Sequence, residues 1–229
     1  MLKLYIGNKN YSSWSMRPWV LMTQAGIPFE EVMVRFGTDF SSPDSAFKKT
    51  VRPINPAGTV PFLVDGDIVV SDTLAIAEYL AESFPGKALW PTDKARRAQA
   101  RSACAEMHAG FRAIRNHCGM NIEADLAPQG RLLMRDRSDV RADLARLVAL
   151  WDGLLAQHGG PMLFGDFSIA DAYFAPVCSR LKTYALPVPP TIAAYVERVH
   201  AVPAVKAWTD AARVEHAFVV EDEPYRLAP

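Results

Sequence analysis

The feature that most constrains the fold of this chain is a change of sequence pattern around Pro85-Gly86 and Pro91. Before this point, short β-prone runs alternate with segments whose apolar residues have helical spacing. After it, no strand-like run persists, and the prolines and glycine between the two patterns are typical of a linker. We therefore predict two domains, a small α/β domain over residues 1–84 and an all-helical domain over residues 92–215.

The first half predicts the order strand, helix, strand, connection, hairpin and helix. The expected strands cover residues 2–6, 29–34, 60–64 and 68–70, and the expected helices cover residues 15–25 and 72–84. Asp65-Gly66-Asp67 between the last two strands is a strong hairpin signal. The polar stretch over residues 38–56, rich in Ser, Lys and Pro, is predicted as a connection.

The second half predicts helices throughout. The pattern favours one long helix over residues 92–118, and a second amphipathic helix over residues 140–155 that Gly159-Gly160 ends. Ser168 and Asp171 have the spacing of a capping box at the start of a further helix. Two more helical segments are expected over residues 191–201 and 203–214.

The charge balance narrows the class of partner. Lys plus Arg and Asp plus Glu both number 25, so the formal net charge is zero. No global field therefore attracts the chain to nucleic acid or to an anionic membrane. No uncharged apolar stretch approaches the ~20 residues needed to cross a bilayer. We expect a soluble protein whose partner is a small molecule or another protein.

The cysteines bear on metal binding and on the cellular compartment. Cys104, Cys118 and Cys178 are widely spaced, and the chain has no CxxC pair and no Cys/His cluster at metal-ligand spacing. We therefore expect no metal site. A secreted chain would be expected to pair its cysteines, so the odd number favours a reducing compartment, the cytoplasm.

Serine hydroxyls lie where a strand gives way to a helix. Ser12 and Ser13 precede the predicted first helix, and a helix N-terminus attracts anions through its free N–H groups and its dipole. N-capping by serine explains the same residues without any catalytic role. Both interpretations remain open from this motif alone.

A proline interrupts the third predicted strand. Pro61 follows Val60 within Asn55-Pro56-Ala57-Gly58-Thr59-Val60-Pro61-Phe62, and a proline in a strand requires an explanation. A cis Val60-Pro61 bond would leave the Val60 backbone unpaired, so that an extended peptide could pair with it as an added strand. An ordinary edge-strand proline is the alternative, and the sequence does not choose between them.

Asp72 and Thr73 open the helix that follows the predicted hairpin. Capping of that helix explains them in part. The same geometry also offers a carboxylate for an amine, and a hydroxyl with N–H groups for a carboxylate. This combination suits the amino-acid end of a γ-glutamyl group.

Taken in order, these motifs resemble the glutathione S-transferases. Serines at a helix start are followed by Asn-Pro-x-Gly-x-Val-Pro at residues 55–61 and by acid-hydroxyl-x-Ala-Ile-x-Glu-Tyr-Leu at residues 72–80, and residues 165–172 resemble the helix-capping segment of the family's second domain. The resemblance spans nearly the whole chain and is strongest to serine-type, zeta- and theta-like bacterial members. It implies a thioredoxin-like α/β domain followed by an all-α domain, glutathione as co-substrate, and a homodimer.

The resemblance also implies roles for individual residues in binding glutathione. Ser12 or Ser13 donates a hydrogen bond to the glutathione sulfur, and the motif does not settle which. Val60, beside a cis Pro61, pairs with the cysteinyl backbone. Asp72 and Thr73 bind the γ-glutamyl group. Lys49 and Arg52 are the candidates for the glycyl carboxylate.

The electrophile is expected between the two domains, beside the first long helix. Trp14 is a candidate wall, and candidates at helical spacing are Met107, His108, Phe111, Arg115 and Cys118. Apolar residues with such spacing are more often core than pocket residues. Both interpretations are therefore kept for each of these side chains.

The residue types at the helix start restrict the chemistry. Trp14 stands where zeta-class members have a cysteine, so thiol–disulfide exchange through a mixed disulfide is not expected. Conjugation and peroxidase reactions need only a glutathione thiolate and remain open. The alternatives are a glutathione-dependent isomerase of the maleylacetoacetate type, and a non-catalytic binding or regulatory protein on the same fold.

Overall fold

The structure is a computed structural model that describes residues 1–227. Its strands are β1 Leu2–Ile6, β2 Phe29–Met33, β3 Phe62–Asp65 and β4 Ile68–Ser71. They form one four-stranded sheet in the order β2-β1-β3-β4. The β1–β2 pair is parallel, while the β1–β3 and β3–β4 pairs are antiparallel.

Ten α-helices are present among residues 1–227. They are α1 Ser13–Gln24, α2 Ala46–Val51, α3 Thr73–Ser83, α4 Lys94–Ala109, α5 Arg112–His117, α6 Ala127–Asp136, α7 Ser138–His158, α8 Ile169–Thr183, α9 Pro190–Ala201 and α10 Pro203–Arg213. A short 3-10 helix, Val220–Asp222, follows α10. Among residues 1–227, no helix combines the length and the apolar character that a membrane crossing requires.

β1 organises the sheet because its apolar residues alternate. Leu2, Leu4 and Ile6 are buried, while Lys3 between them is partly exposed, as the two-residue period of a strand requires. Leu4 pairs with Leu63 of β3. The strand that leads into α1 is thereby held at the centre of the first domain.

α8 joins the helical part of the molecule to the start of α1. The two helices pack against each other, and Met16 and Val20 of α1 share one core cluster with Tyr173 and Val177 of α8. Ser168 and Asp171 form the predicted capping box at the start of α8. Side chains that project from α8 therefore reach the N-terminus of α1.

The single long helix predicted over residues 92–118 is wrong. The structure has two helices, α4 and α5, separated at Gly110 and Phe111. Gly110 is extended and Phe111 has a φ of 50°, in the left-handed region. A Cβ atom on Gly110 would lie 2.7 Å from the Glu106 carbonyl oxygen, so only glycine fits this turn without a clash. The apolar spacing continues through the turn and therefore did not indicate it.

Two helices lie where none was predicted. Ser45 caps α2 within the polar stretch of residues 38–56, which was interpreted as a connection because its composition is that of a loop. α6 is the other. A Cβ atom on Gly130 of α6 would lie 1.8 Å from the Tyr184 carbonyl oxygen, so the tertiary contact selects a residue that disfavours helix formation.

The predicted fold class, a thioredoxin-like α/β part followed by a helical part, is confirmed. The predicted hairpin is present, with β3 and β4 joined around Gly66, whose φ is +57°. The domain limits at residues 84 and 92 stay predictions.

Candidate functional site

A cavity of about 420 Å³ opens beside the N-terminus of α1. It lies among the start of α1, the loop before β3, α5 and the C-terminal 3-10 helix. Its lining residues include Ser12, Ser13, Trp14, Lys48, Val60, Arg115, Arg180 and Asp222, with an aromatic group of Tyr11, Phe36, Phe40 and Phe47. Four of the predicted site residues, Ser12, Ser13, Val60 and Trp14, therefore share one cavity with the predicted Arg115.

Ser12 is the N-cap of α1. Its Oγ accepts from the Ser15 amide at 3.4 Å and donates to the Ser15 Oγ at 2.6 Å. Ser15 Oγ in turn accepts from the Gly7 amide at 3.1 Å. The hydroxyl hydrogen of Ser12 is thus used inside the strand-to-helix turn, as in an ordinary cap.

Ser13, the first residue of α1, has a different partner. Its Oγ accepts a hydrogen bond from an Arg180 Nη at 3.0 Å. A guanidinium group can only donate, so Ser13 must use a lone pair in this contact. The hydroxyl hydrogen of Ser13 is therefore left for a group in the cavity.

Burial and hydrogen bonds to two backbone carbonyls hold Arg180 in this position. Although it is charged, it is only 6% exposed. Its second Nη donates to the Cys118 carbonyl at 2.5 Å and to the Arg115 carbonyl at 3.2 Å. Burial lowers the pKa of Arg180 to about 10, so it remains a cation at neutral pH.

Two further ionisable groups contribute to the electrostatics of the cavity. Burial lowers the pKa of Arg115, and the neighbouring Arg112 lowers it further. Burial raises the pKa of Asp222 to about 6, with the nearby Glu221 acting in the same direction. At neutral pH the lining therefore carries more positive than negative charge, which favours an anion.

The peptide between Val60 and Pro61 is cis, as one of the two sequence interpretations predicted. Val60 precedes β3 and lies outside the strand ladder. Within the described chain, neither its amide nor its carbonyl takes part in a backbone hydrogen bond. An extended peptide in the cavity could therefore pair with it.

The start of α3 lies outside this cavity. Asp72 caps α3 with a φ of 78°, and its Oδ1 accepts from the Leu74 amide at 2.8 Å. Its Oδ2 lies 3.3 Å from His108 Nε2. The Thr73 hydroxyl lies 2.6 Å from the Tyr173 hydroxyl, which lies 2.7 Å from His108 Nδ1.

Two family models match this chain. The model described as "Glutathione S-transferase, N-terminal domain" matches residues 11–83, and the model described as "Glutathione S-transferase, C-terminal domain" matches residues 95–211. Together they cover both parts of the fold and most of its length.

The chain belongs to the glutathione S-transferase family.

Named relatives agree with this assignment. Glutathione S-transferase Z2 of Arabidopsis thaliana is 32% identical over 205 residues, which are 86% of this chain and 87% of the relative. A probable maleylacetoacetate isomerase of Caenorhabditis elegans is 32% identical over 151 residues, 62% of this chain and 65% of the relative. The predictions of the family and of the enzyme class are confirmed.

A solved structure shares the architecture. The crystal structure of a glutathione transferase homolog from Burkholderia, with bound glutathione, has a TM-score of 0.67 and 26% sequence identity. The match covers 94% of this chain and 99% of that chain. The arrangement of sheet and helices in this transferase is therefore that of a solved relative.

The two cations predicted for the glycyl end of glutathione, Lys49 and Arg52, do not line the cavity of this transferase. Lys49 is exposed and lies outside the cavity, whereas Lys48 lines it and donates to the Gly58 carbonyl at 2.7 Å. Arg52 donates to the Pro43 carbonyl instead. The helical geometry of α2 decides which lysine faces inward, and that helix was not predicted.

Two predicted electrophile residues lie elsewhere. Phe111 is 6% exposed and belongs to the main core cluster. His108 does not line the cavity; it contacts Asp72 and Tyr173, and its ring packs edge-on behind Trp14 with 5.1 Å between the ring centroids. Trp14 does line the cavity, and its ring lies 4.1 Å from the Arg17 guanidinium carbon and 5.6 Å from that of Arg115.

Sequence reasoning missed several lining residues, above all Arg180 and Asp222. Asp222 follows the last predicted helix, and nothing in its local sequence indicates a role. Arg180 did carry a signal, since it lies in an otherwise mostly apolar helix, α8. A buried charge in such a helix is unusual and points to a specific partner.

Proposed function

We propose that this chain is a glutathione transferase in which the Ser13 hydroxyl holds glutathione as a thiolate for addition to a small electrophile. The observation that carries the proposal is the hydrogen bond from Arg180 to Ser13, which leaves the Ser13 hydrogen free beside the cavity. Ser12 has its own acceptor in Ser15. Ser13 is thus the better donor to a sulfur anion.

The required stabilisation is modest. A free thiol with a pKa of about 8.5 is only a few per cent ionised at pH 7, and lowering that pKa by about two units requires ~2.7 kcal/mol. A hydrogen bond to a charged group contributes ~1.5–3 kcal/mol. A helix N-terminus adds ~0.3–1 kcal/mol. The hydroxyl and the start of α1 together suffice, with no general base.

Glutathione is the co-substrate that family membership supports. Its cysteinyl backbone would pair with the free peptide groups of Val60. Lys48 is the cation placed for the glycyl carboxylate. Asp72, with its side chain about half exposed, remains the candidate for the γ-glutamyl amine, and Thr73 offers its backbone N–H at the start of α3 rather than its buried hydroxyl.

In the conjugation step the thiolate sulfur attacks an electrophilic carbon. A carbon–sulfur bond forms, and the leaving group departs with its bonding electrons. The cavity of about 420 Å³ would take the sulfur end of glutathione together with the electrophile, which suits a small electrophile. Its aromatic wall suits an aromatic or other apolar group.

A glutathione-dependent isomerase is the second candidate, and the name of the Caenorhabditis elegans relative favours it. In that reaction the thiolate would add to a conjugated double bond and leave again after rotation about the resulting single bond. The same Ser13–Arg180 geometry would serve both reactions. A non-catalytic binding protein is the third possibility that the test must address.

Cytoplasmic location and a homodimer belong to the same proposal. Cys104, Cys118 and Cys178 are free and buried, which supports a reducing compartment. The dimer rests on the family resemblance alone. Light scattering of the purified protein should give twice the mass of the 25.3 kDa chain, and a monomer mass would contradict it.

The test is binding and turnover measured together. Glutathione is titrated calorimetrically into the wild type, Ser12→Ala and Ser13→Ala, and each is then assayed with a generic aromatic electrophile and with a cis-enone isomerisation substrate. We expect turnover to collapse in Ser13→Ala. Ser12→Ala should lose about 1 kcal/mol of stability as a cap variant while keeping most of its activity.

Each outcome distinguishes the candidates. Conjugation without isomerisation supports the transferase, and isomerisation without conjugation supports the second candidate. Glutathione binding without either reaction would favour a non-catalytic protein. No glutathione binding by the wild type would overturn the proposal altogether.

A further inference from the structure

Arg180 is a buried cation without a carboxylate partner. Among residues 1–227, no carboxylate oxygen lies within 4.0 Å of its guanidinium group. Asp222, which lines the same cavity, is near enough for Arg180 to lower its pKa but forms no salt bridge with it. Burying an uncompensated charge is costly. Such a charge persists where it serves a ligand or another group.

Backbone contacts fix the direction of the guanidinium group. The donors to the Cys118 and Arg115 carbonyls hold one side of it against the end of α5. The planar fork of an arginine then directs the remaining Nη at a defined point, and that point is Ser13 Oγ. The orientation of the Ser13 hydroxyl is therefore set by the helical domain.

We infer that Arg180 is a positioning residue that turns the Ser13 hydroxyl hydrogen towards the glutathione sulfur and strengthens it as a donor. This inference rests on the proposed function. The mechanism is polarisation along a hydrogen-bond chain, in which a charged donor at the oxygen makes the hydroxyl hydrogen more acidic. No proton is transferred to or from Arg180.

Lysine could not replace Arg180 in this role. An ammonium group is a point charge on a flexible stem. It could reach one of the three acceptors, Ser13 Oγ or the carbonyls of Cys118 and Arg115, but could not satisfy all of them at once. Arg180→Lys therefore keeps the positive charge but loses the fixed set of hydrogen bonds, so it separates the effect of the charge from the effect of positioning Ser13.

The other charges around the site must be considered in any pH measurement. Arg17 on α1 and Arg115 on α5 add positive charge near Arg180, while Tyr184 on α8 and Cys118 remain neutral because burial raises their pKa values. Asp222 on the C-terminal 3-10 helix adds negative charge above a pH of about 6. These groups are unchanged in the variants compared below.

The experiment measures the pKa of the glutathione thiol bound to the enzyme, from the ultraviolet absorbance of the thiolate across pH. The proteins are the wild type, Arg180→Lys, Arg180→Met, Ser13→Ala and the double variant Ser13→Ala/Arg180→Lys. Lys182→Met is the matched control, since Lys182 lies on the same helix, pairs with Glu197 at the surface and does not line this cavity.

We expect Arg180→Lys to raise the bound-thiol pKa by about one unit and Arg180→Met by about two units. The further change from Arg180→Lys in the Ser13→Ala background should be smaller than in the wild type, because the positioned group is gone. Lys182→Met should leave the thiol pKa unchanged. Circular dichroism checks folding, and Arg180→Gln, which keeps an uncharged N–H donor, replaces Arg180→Met if the latter does not fold.

The contrary results are distinct. A folded Arg180→Lys protein with an unchanged thiol pKa would overturn the positioning role while leaving the transferase intact. An equal shift with and without Ser13 would also overturn it, because Arg180 would then act independently of the serine. A wild type that binds glutathione only as the thiol would overturn the proposed function itself.

Discussion

The starts of α1 and α3 are built alike and differ in their partners. Each has a capping residue followed by a hydroxyl residue at the first helical position, Ser12 and Ser13 in one case and Asp72 and Thr73 in the other. Each hydroxyl meets a side chain from α8, and the two partners, Arg180 and Tyr173, are seven residues apart on that helix.

The difference between the partners decides what each hydroxyl can do. Arg180 only donates, so the Ser13 hydrogen stays free for a ligand. Tyr173 can donate and accept, and the Thr73 hydroxyl, on a side chain only 2% exposed, is engaged with it. The same local motif thus leaves a free hydroxyl hydrogen at α1 and forms a structural contact with α8 at α3.

At α3 the ligand-accessible group is the capping carboxylate. Asp72 is held between the Leu74 amide and His108, and His108 is held by Tyr173. Burial raises the pKa of Tyr173 to about 12, so the phenol keeps its hydrogen at neutral pH. This chain of contacts orients the Asp72 carboxylate, which suits a positively charged group.

The largest predicted difference between the two helix starts appears when each hydroxyl is removed separately. Ser13→Ala should lower kcat/KM for conjugation about 100-fold, because one preorganised donor to a developing or bound anion is lost. Thr73→Val should change it less than about threefold. Steady-state kinetics with one electrophile measures both. Equal losses would show that the two hydroxyls do the same work.

The next largest effect concerns Asp72. Asp72→Asn should raise the KM for glutathione about tenfold, since a charge-assisted hydrogen bond to the γ-glutamyl amine is lost. The kcat and the bound-thiol pKa should stay as in the wild type. Asp67→Asn, an exposed aspartate in the β3–β4 turn, is the control. A shifted thiol pKa in Asp72→Asn would contradict the assignment of Asp72 to glutathione binding alone, because it would show that the start of α3 also acts on the sulfur.

Removal of the Tyr173 hydroxyl should affect stability rather than catalysis. Tyr173→Phe leaves buried Thr73 and half-buried His108 without their shared partner, so the free energy of unfolding should fall by about 1–3 kcal/mol. Urea denaturation measures it. Tyr79→Phe is the control, because the Tyr79 hydroxyl donates to Asp65 at a partly exposed position. A Tyr173→Phe protein with wild-type stability and an altered thiol pKa would contradict the structural role given to the Tyr173 hydroxyl and would indicate a role in catalysis.

The smallest predicted effect is electrostatic. Burial raises the pKa of Asp222 to about 6. Above that pH its side chain is a carboxylate, and its negative charge disfavours a nearby thiolate. Asp222→Asn should therefore lower the bound-thiol pKa by about 0.3 units, visible in kcat/KM above pH 6 and absent below it, where Asp222 is protonated. Asp210→Asn on α10 should show no change. A rise in the thiol pKa would give Asp222 a supporting role instead.

The sequence predicted what short-range patterns determine. The alternation in β1, the Asp-Gly hairpin turn and the capping box of Ser168 and Asp171 all rest on local physical chemistry, and each is present. The break at Phe111 could not be found in this way, because the apolar spacing continues through it. The helix around Gly130 depends on a tertiary contact with Tyr184 that no local pattern contains.

The candidate site also contains some features that local sequence predicts and others that depend on long-range packing. Ser12, Ser13 and Val60 were found because helix starts and strand prolines have distinctive sequences. Which serine keeps its hydrogen depends on Arg180, 167 residues away in the chain. Likewise, Lys48 rather than Lys49 lines the cavity because of the orientation of α2. Long-range packing decided each of the points that the motifs left open.

The most direct test of the central claim is a crystal structure of the enzyme with glutathione. The sulfur should lie within hydrogen-bond distance of Ser13 Oγ, with Arg180 still donating to that oxygen and Ser12 still bonded to Ser15. A sulfur bound to Ser12, or one distant from both hydroxyls with Ser13 turned away from the cavity, would contradict the claim.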